Sequence, residues 1–368
     1  MFDHNHYVPI LRWKQAERLA LRELDARTRA GMTPLIEVNP RALAAEETAE
    51  PAAVDKRCAR VAAEILGDWG GGRIFFDLGL VAPEVRATDG AHPLTKIFQE
   101  GRTLFPSFVP VTGLGRDAAY QDAVRSIVAG DGLGLCLRVK AGELERSGLP
   151  AEINRLLVGF GLDYEQVDVL VDYGVVGDTP PDLAAACDSL PSLRRWRTFT
   201  VIGGAFPENL TGMRVGEHVL PRRDWRAWRD QVTARPPLPR LPAYGDYTVQ
   251  HPVFREPGFG LNFSASIRYT AKDAFVVMRG EGVRNDDGPG YSQWPANAMM
   301  LCERQEYRGE DFSAGDRYIK EMSKEVEKNG SGRTGGPGTW LQAAFNHHLT
   351  LTVRQISSLF GPSTGLEP

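Results

Sequence analysis

Short apolar runs recur along this chain, each bounded by Gly, Pro or Asp and most followed by a stretch of helix-forming composition. Residues 7–14 read YVPILRWK, 33–40 TPLIEVNP, 73–80 RIFFDLGL and 108–115 FVPVTGLG. Residues 132–140 read GLGLCLRVK, 167–176 VDVLVDYGVV and 197–206 RTFTVIGGAF, and an eighth run lies within 241–249, LPAYGDYTV. Runs this short, rich in β-branched and aromatic residues, are the pattern of strands covered on both faces. Between them, residues 15–30, 46–66, 117–129, 141–159, 182–193 and 224–234 have helical character. Strand then helix, repeated roughly every 25–40 residues, is the signature of βα units on a parallel sheet. Seven or eight repeats predict an α/β fold closed as a (β/α)8 TIM-barrel-like domain over residues 1–250. An open doubly wound parallel sheet is the alternative. No G-x-G-x-x-G follows the first run, so the dinucleotide-binding version of that alternative loses its main support.

After residue 250 the rhythm breaks. Residues 265–270 (ASIRYT) and 274–280 (AFVVMRG) read as two further strands, and 281–290 as a polar, Gly-rich loop. Residues 316–328 read as an exposed amphipathic helix and 329–338 (NGSGRTGGPG) as a flexible loop. Thr339 is placed to cap a last helix, 340–360, with Leu341, Phe345, Leu349, Thr352 and Ile356 as its packing stripe. Residues 251–368 are thus expected as appended strands, loop and helices packed on the barrel.

Composition narrows the function classes. Lys plus Arg is 43 against 47 Asp plus Glu, a balance that carries no footprint of non-specific nucleic-acid binding. No apolar run has the roughly 18–20 residues that a membrane helix needs, and the first residues lack a signal-peptide pattern. Cys58, Cys136, Cys187 and Cys302 are scattered without a C-x-x-C pair. They read as reduced thiols, which points to the cytoplasm.

In a barrel, chemistry sits where strands end at the C-terminal face. Arg12 and Lys14 share parity at the end of the first run; Glu37 lies on the second and Asp77 on the third. Arg138 and Lys140 end the fifth, Asp172 lies on the sixth and Asp246 on the eighth. Any one of these is an ordinary strand-end charge. Charges in six otherwise apolar runs, each costly to bury unpaired, are better explained by one polar mouth. The mixed set suits a small anionic substrate, phosphorylated or nucleotide-like, held by Arg12, Lys14, Arg138, Lys140 and Arg268. Glu37, Asp77 and Asp172 would act as general base or as ligands of Mg2+ or another divalent cation. Lys14 or Lys140 as a Schiff-base nucleophile is the competing chemistry. His347 and His348, adjacent on the last helix, point about 100° apart and cannot share one metal as an H-E-x-x-H pair does. One of them is a candidate general acid or base, and the 329–338 loop could hold this helix over the site as a lid. A non-catalytic barrel that senses a ligand or binds a protein partner is the second reading, motivated by the long C-terminal addition.

The opening YVPILRWKQAE, the following PLIEV and FFDLG, and the closing TW…NHHLTLTVRQI resemble the "beta protein" family, named after a T4-type phage protein. The resemblance runs over roughly residues 7–357 and is most specific at the opening and at NHHLT. It implies a phage or bacterial setting, including phage–host conflict. It carries no established reaction and no catalytic residues to transfer. Arg12 stands where similar proteins are expected to have lysine, which keeps the charge but weakens any role needing a titratable amine.

Overall fold

A computed structural model describes residues 1–43, 50–102, 107–255, 262–328 and 332–361. Its strands are β1 Tyr7–Leu11, β2 Leu35–Glu37, β3 Ile74–Asp77, β4 Phe108–Thr112, β5 Leu135–Lys140, β6 Val167–Val175, β7 Thr198–Gly204, β8 Gly216–Pro221, β9 Ala243–Asp246, β10 Ile267–Thr270 and β11 Ala274–Arg279. Strands β1 to β7 and β9 close an eight-stranded, all-parallel barrel. Closure is made by β9, which pairs with β7 on one side and β1 on the other. The fold is the TIM-barrel-like closed barrel, not the open sheet.

The apolar runs lack alternation because both faces of each strand are covered. Val8, Ile10, Leu35, Phe75, Val109, Val111, Cys136, Leu170, Ile202 and Ala243 fill the barrel interior. Tyr7, Leu11, Ile36, Phe76, Leu137, Val139, Val171, Val201 and Tyr244 face the surrounding helices. The interior is layered, as barrel interiors are. At the bottom Asp168 pairs with Arg73 and Arg197, each at 2.7 Å. Apolar side chains fill the middle, and a second ionic layer lies at the C-terminal mouth.

The appended part has its own antiparallel sheet, ordered β10-β11-β8. Its third strand comes from the connection between β7 and β9, so a division of the chain at residue 250 does not separate the two sheets. The sequence reading missed β8, whose residues (GEHVLP) are only half covered and so carry no continuous apolar run. It also missed the helices Pro93–Arg102 and Gln293–Cys302. The stretch 141–159 divides into Ala141–Leu144 and Leu149–Phe160, with proline in the first turn of the second. The helix expected from 46 runs Pro51–Trp69; residues 46–49 lie outside the described residues, as do 329–331 of the Gly-rich loop.

The last helix spans Pro337–Phe360. Thr339 lies inside its first turn, where its Oγ accepts from the Gly336 amide at 2.9 Å. From Ala343 to Val353 every residue is buried. A helix covered all round is interior: this one lies between the barrel, through the Gln15–Arg22 helix and β1, and the appended sheet, through β10. The helix expected as exposed at 316–328 is instead half buried. It spans Ala314–Ser323, and Asp316, Ile319 and Met322 lie against its neighbours.

Candidate functional site at the barrel mouth

The mouth is organised around Arg138, whose side chain enters the barrel from the end of β5. Its Nη1 donates to Glu37 Oε1 at 2.7 Å and to Asp77 Oδ2 at 2.9 Å. Its Nε and Nη2 donate to Asp172 Oδ2 at 3.0 and 2.7 Å, and Nη2 also reaches the Tyr247 hydroxyl at 2.9 Å. One guanidinium thus ties together strands β2, β3, β5 and β6 and the residue after β9. The planar fork makes this possible; a lysine ammonium could not span the same partners. Arg12 Nε stands 3.3 Å from Glu37 Oε2, Arg116 Nη2 bonds both oxygens of Asp77 at 2.7 and 2.8 Å, and Lys140 Nζ lies 2.6 Å from Asp172 Oδ2.

Local sequence explains why these groups stand where they do. Asp77, Asp172 and Asp246 each accept a hydrogen bond from the backbone N–H two residues on, at 2.7–2.9 Å. Each therefore turns its own chain at the strand end as an Asx-turn, in addition to any charge pairing. A side chain on Gly79 would fall on the Arg116 guanidinium and displace it from Asp77. After β1 and β5 the same spacing appears twice: Arg12-x-Lys14-x-x-Glu17 and Arg138-x-Lys140-x-x-Glu143. Glu17 accepts from the Lys14 amide at 2.7 Å and Glu143 from the Lys140 amide at 2.8 Å, so each carboxylate caps the start of its own helix. Two residues turn sharply at the rim: Trp13 and Thr248 have φ of 55° and 59°, a conformation costly for side chains of this size.

Burial and electrostatics follow from the pairing. Burial alone raises a carboxyl pKa. For Asp77 the guanidinium groups of Arg116 and Arg138 outweigh it, and for Asp172 Arg138 and Lys140 do; both fall below the usual range. The Tyr247 hydroxyl is pushed far up by burial and by Asp172 despite Arg138. The segment 247–255 roofs the network: Arg12 donates to the Pro252 carbonyl, and Arg12 and Lys14 both stand over the Phe254 ring, at 5.2 and 5.3 Å.

Of the residues expected at the mouth, the structure gathers Arg12, Glu37, Asp77, Arg138, Lys140 and Asp172 there, with Lys14 at its edge. Asp246 is not among them. The inward row of β9 continues through Tyr247, and Asp246 faces outward to the last helix. There His348 Nε2 lies 2.9 Å from Asp246 Oδ2, Tyr7 and Tyr244 donate to the same carboxylate at 2.5 and 3.0 Å, and Thr270 Oγ1 lies 2.9 Å from His348 Nδ1. His347 is held separately, between Asp316 Oδ2 and the Thr270 carbonyl, each at 2.8 Å. Both histidines are fully buried and bond Asp316, Thr270 and the outward-facing Asp246, so neither reaches the mouth and the helix is not a lid over it. Arg268 donates to the Val249 carbonyl at 2.6 Å and stacks on Phe206. Burial lowers its pKa to about 10; it anchors the roofing segment.

A divalent cation on Glu37, Asp77 and Asp172 does not fit this donor set. Each of the three already accepts from Arg138, whose guanidinium fills the point on which they converge. Among the described residues no group of three or more His, Cys, Asp or Glu is placed to hold a metal ion. The sequence reading also missed Arg116 and Tyr247. Tyr247 directly follows β9 and Arg116 lies in the loop after β4, on the face where barrel chemistry gathers, and position alone would have nominated them.

No helix among the described residues is long and apolar enough to cross a membrane, and the four cysteines are unpaired. No curated protein and no solved structure matches the chain. A family model described as Beta protein matches residues 7–354. That match begins at β1 and ends within the last helix, taking in barrel, mouth and appended sheet alike, and the chain belongs to the Beta protein family.

Proposed function

We propose that the protein binds a small anionic molecule, phosphorylated or nucleotide-like, at the C-terminal mouth of its barrel and acts on it there. One observation carries the reading: the acids of the mouth are buried, as are Arg12 and Arg138, while Arg116 and Lys140 reach outward. The side chains of Asp77 and Asp172 have no exposure and Glu37 has 7%, against 19% for Arg116 and 56% for Lys140. An approaching ligand meets positive charge first, and charged hydrogen bonds from arginine and lysine suit phosphate or carboxylate. The buried acids hold the cations in place, as a supporting shell does.

A second reading, a ligand-sensing barrel without turnover, is favoured by a specific feature. The three mouth carboxylates are all held by Arg138, and those of Asp77 and Asp172 are weakened as bases. Turnover assays on a bound anion separate the two. The family and the unpaired thiols support a phage or bacterial setting and a cytoplasmic location as part of the proposal.

Thermal melts with inorganic phosphate, pyrophosphate and citrate, against glucose, test the binding. A ligand at a hundred times its Kd stabilises by about 2.7 kcal/mol, a shift of several degrees. We expect that shift with at least one anion and its loss in Lys140→Ala/Arg116→Ala. A shift with the neutral sugar alone, or one unchanged in the double variant, refutes the reading.

A further inference from the structure

A cavity lies away from the mouth, beside the buried histidines. It measures about 630 Å³ and opens where the Arg223–Val232 helix, the end of β10, the last helix and the chain at 305–308 meet. Its size is that of a small-molecule site. Thr270, which bonds His348, is in its wall, and so is Gln355, which accepts from Arg222 Nη1 at 2.8 Å.

Four cations, Arg229, Lys272, Arg308 and Arg354, and one carboxylate, Glu306, line it. Most of this charge is already matched. Arg229 pairs with Asp230 and Asp273, Arg354 lies 3.7 Å from Asp25, and Glu306 is taken by Arg304 at 2.9 Å. Lys272 and Arg308 are left: both are exposed, and among the described residues neither has an acid at ion-pair distance. The Arg308 guanidinium stands over the Phe312 ring at 5.1 Å, which holds the side chain without matching its charge. The apolar part of the wall is Trp225, Ala271, Leu351 and Leu359. Trp225 is 2% exposed and its indole N–H has no acceptor. A buried donor left unpaired is costly, and an acceptor brought by a ligand would satisfy it.

We infer that this cavity binds a small organic carboxylate with an apolar body, its charge on Lys272 and Arg308 and its body against Trp225 and Leu351. Two unmatched cations suit one carboxylate, whose two oxygens accept charged hydrogen bonds. The apolar wall beside them favours a ligand that buries carbon. Because Thr270 and Gln355 also hold the seam, an occupied cavity braces the barrel against the appended sheet, and binding raises the melting temperature. The inference goes beyond the mouth reading and does not depend on it.

Calorimetric titration of the full chain and of Lys140→Ala with octanoate, phenylacetate, acetate and octanamide tests it. We expect octanoate or phenylacetate to bind both chains alike and to raise their melting temperatures. Acetate, without the body, and octanamide, without the charge, should bind Lys140→Ala at least about tenfold more weakly. Lys272 and Arg308 are exposed, so Lys272→Ala/Arg308→Ala should keep the fold, checked by melting without ligand, and lose about tenfold or more in affinity. The inference is overturned if neither apolar carboxylate binds at about 1 mM, if the double variant binds it as the parent does, or if acetate or octanamide binds Lys140→Ala as tightly. Binding lost in Lys140→Ala and kept in the double variant would assign the carboxylate to the mouth; this inference would then fail while the mouth reading stood.

Discussion

The barrel mouth and the seam under the last helix are both charged clusters shut into the protein, yet they are built around different side chains. At the mouth the centre is Arg138, which stays charged at every ordinary pH. In the seam the ring nitrogens of His347 and His348 do the bonding. Both nitrogens of His347 face oxygens, the Asp316 carboxylate and the Thr270 carbonyl. His348 differs: burial, and the charges of Arg222 and His347, lower its pKa despite Asp246, and its Nδ1 can accept from Thr270. The mouth also sends Lys140 and Arg116 outward, whereas the seam exposes nothing. A charged cluster that closes on itself joins two parts of a fold. One that leaves surplus charge at its rim can receive a ligand.

The sharpest way to break this comparison is to remove Arg138. Arg138→Met leaves Glu37, Asp77 and Asp172 buried without their shared partner. Losing one side of a buried charge network costs about 3–5 kcal/mol, and urea unfolding should show it. Arg138→Lys should restore the smaller part, since one ammonium cannot bridge the same partners. A loss below about 1 kcal/mol in the methionine variant would mean that the network does not hold the mouth.

Acidification should separate the regions next. A group whose folded pKa lies below its unfolded value contributes stability that is full above the unfolded value and is lost as pH falls. For His348 that loss begins below about pH 6.5; for Asp77 and Asp172 it begins only below about pH 3.9. The seam should therefore soften between pH 7 and pH 5 while the mouth does not, and His348→Gln should flatten that slope in denaturant melts. Asp224 works in the opposite direction. Burial first, then the charge of Asp246, raise its pKa to about 6, so its cost to the fold sets in above about pH 3.9 and is complete above about pH 6. Asp224→Asn should stabilise by on the order of 1 kcal/mol at pH 8, with the gain gone near pH 4. A gain that persists at pH 4 would show that the charge is not its source.

The smallest effect on stability is expected at Lys140. An ion pair with so exposed a partner contributes about 0–1 kcal/mol, so Lys140→Ala should melt close to the parent while weakening anion protection. A variant that melts much lower would move Lys140 from the rim into the supporting shell.

Most of the architecture was legible in the sequence. Each of the eight apolar runs contains a barrel strand, because a strand covered on both faces must be apolar throughout. Strand β8 was not legible, since a half-exposed strand needs no such run. Six of the mouth residues were legible for a related reason: a charge inside an apolar run is expensive unless it meets partners. Asp172 and Asp246 show the limit. Each ends an apolar run and each turns its own chain through the same backbone bond, yet one faces into the barrel and the other out. A strand's faces alternate residue by residue, and only the pairing of β9 with β7 and β1 settles which row is inside. His347 and His348 were likewise legible as a helical pair, but not as members of a buried seam.

The sequence by itself determined the barrel, the order of its strands and which side chains had to find buried partners, because those follow from local periodicity and from the cost of hiding charge. Tertiary structure alone decided that Arg138 would stand among three acids drawn from three other strands. It also decided that both histidines would be sealed under the appended sheet. Those outcomes depend on distances between residues far apart along the chain, which closing the barrel sets and no local pattern encodes.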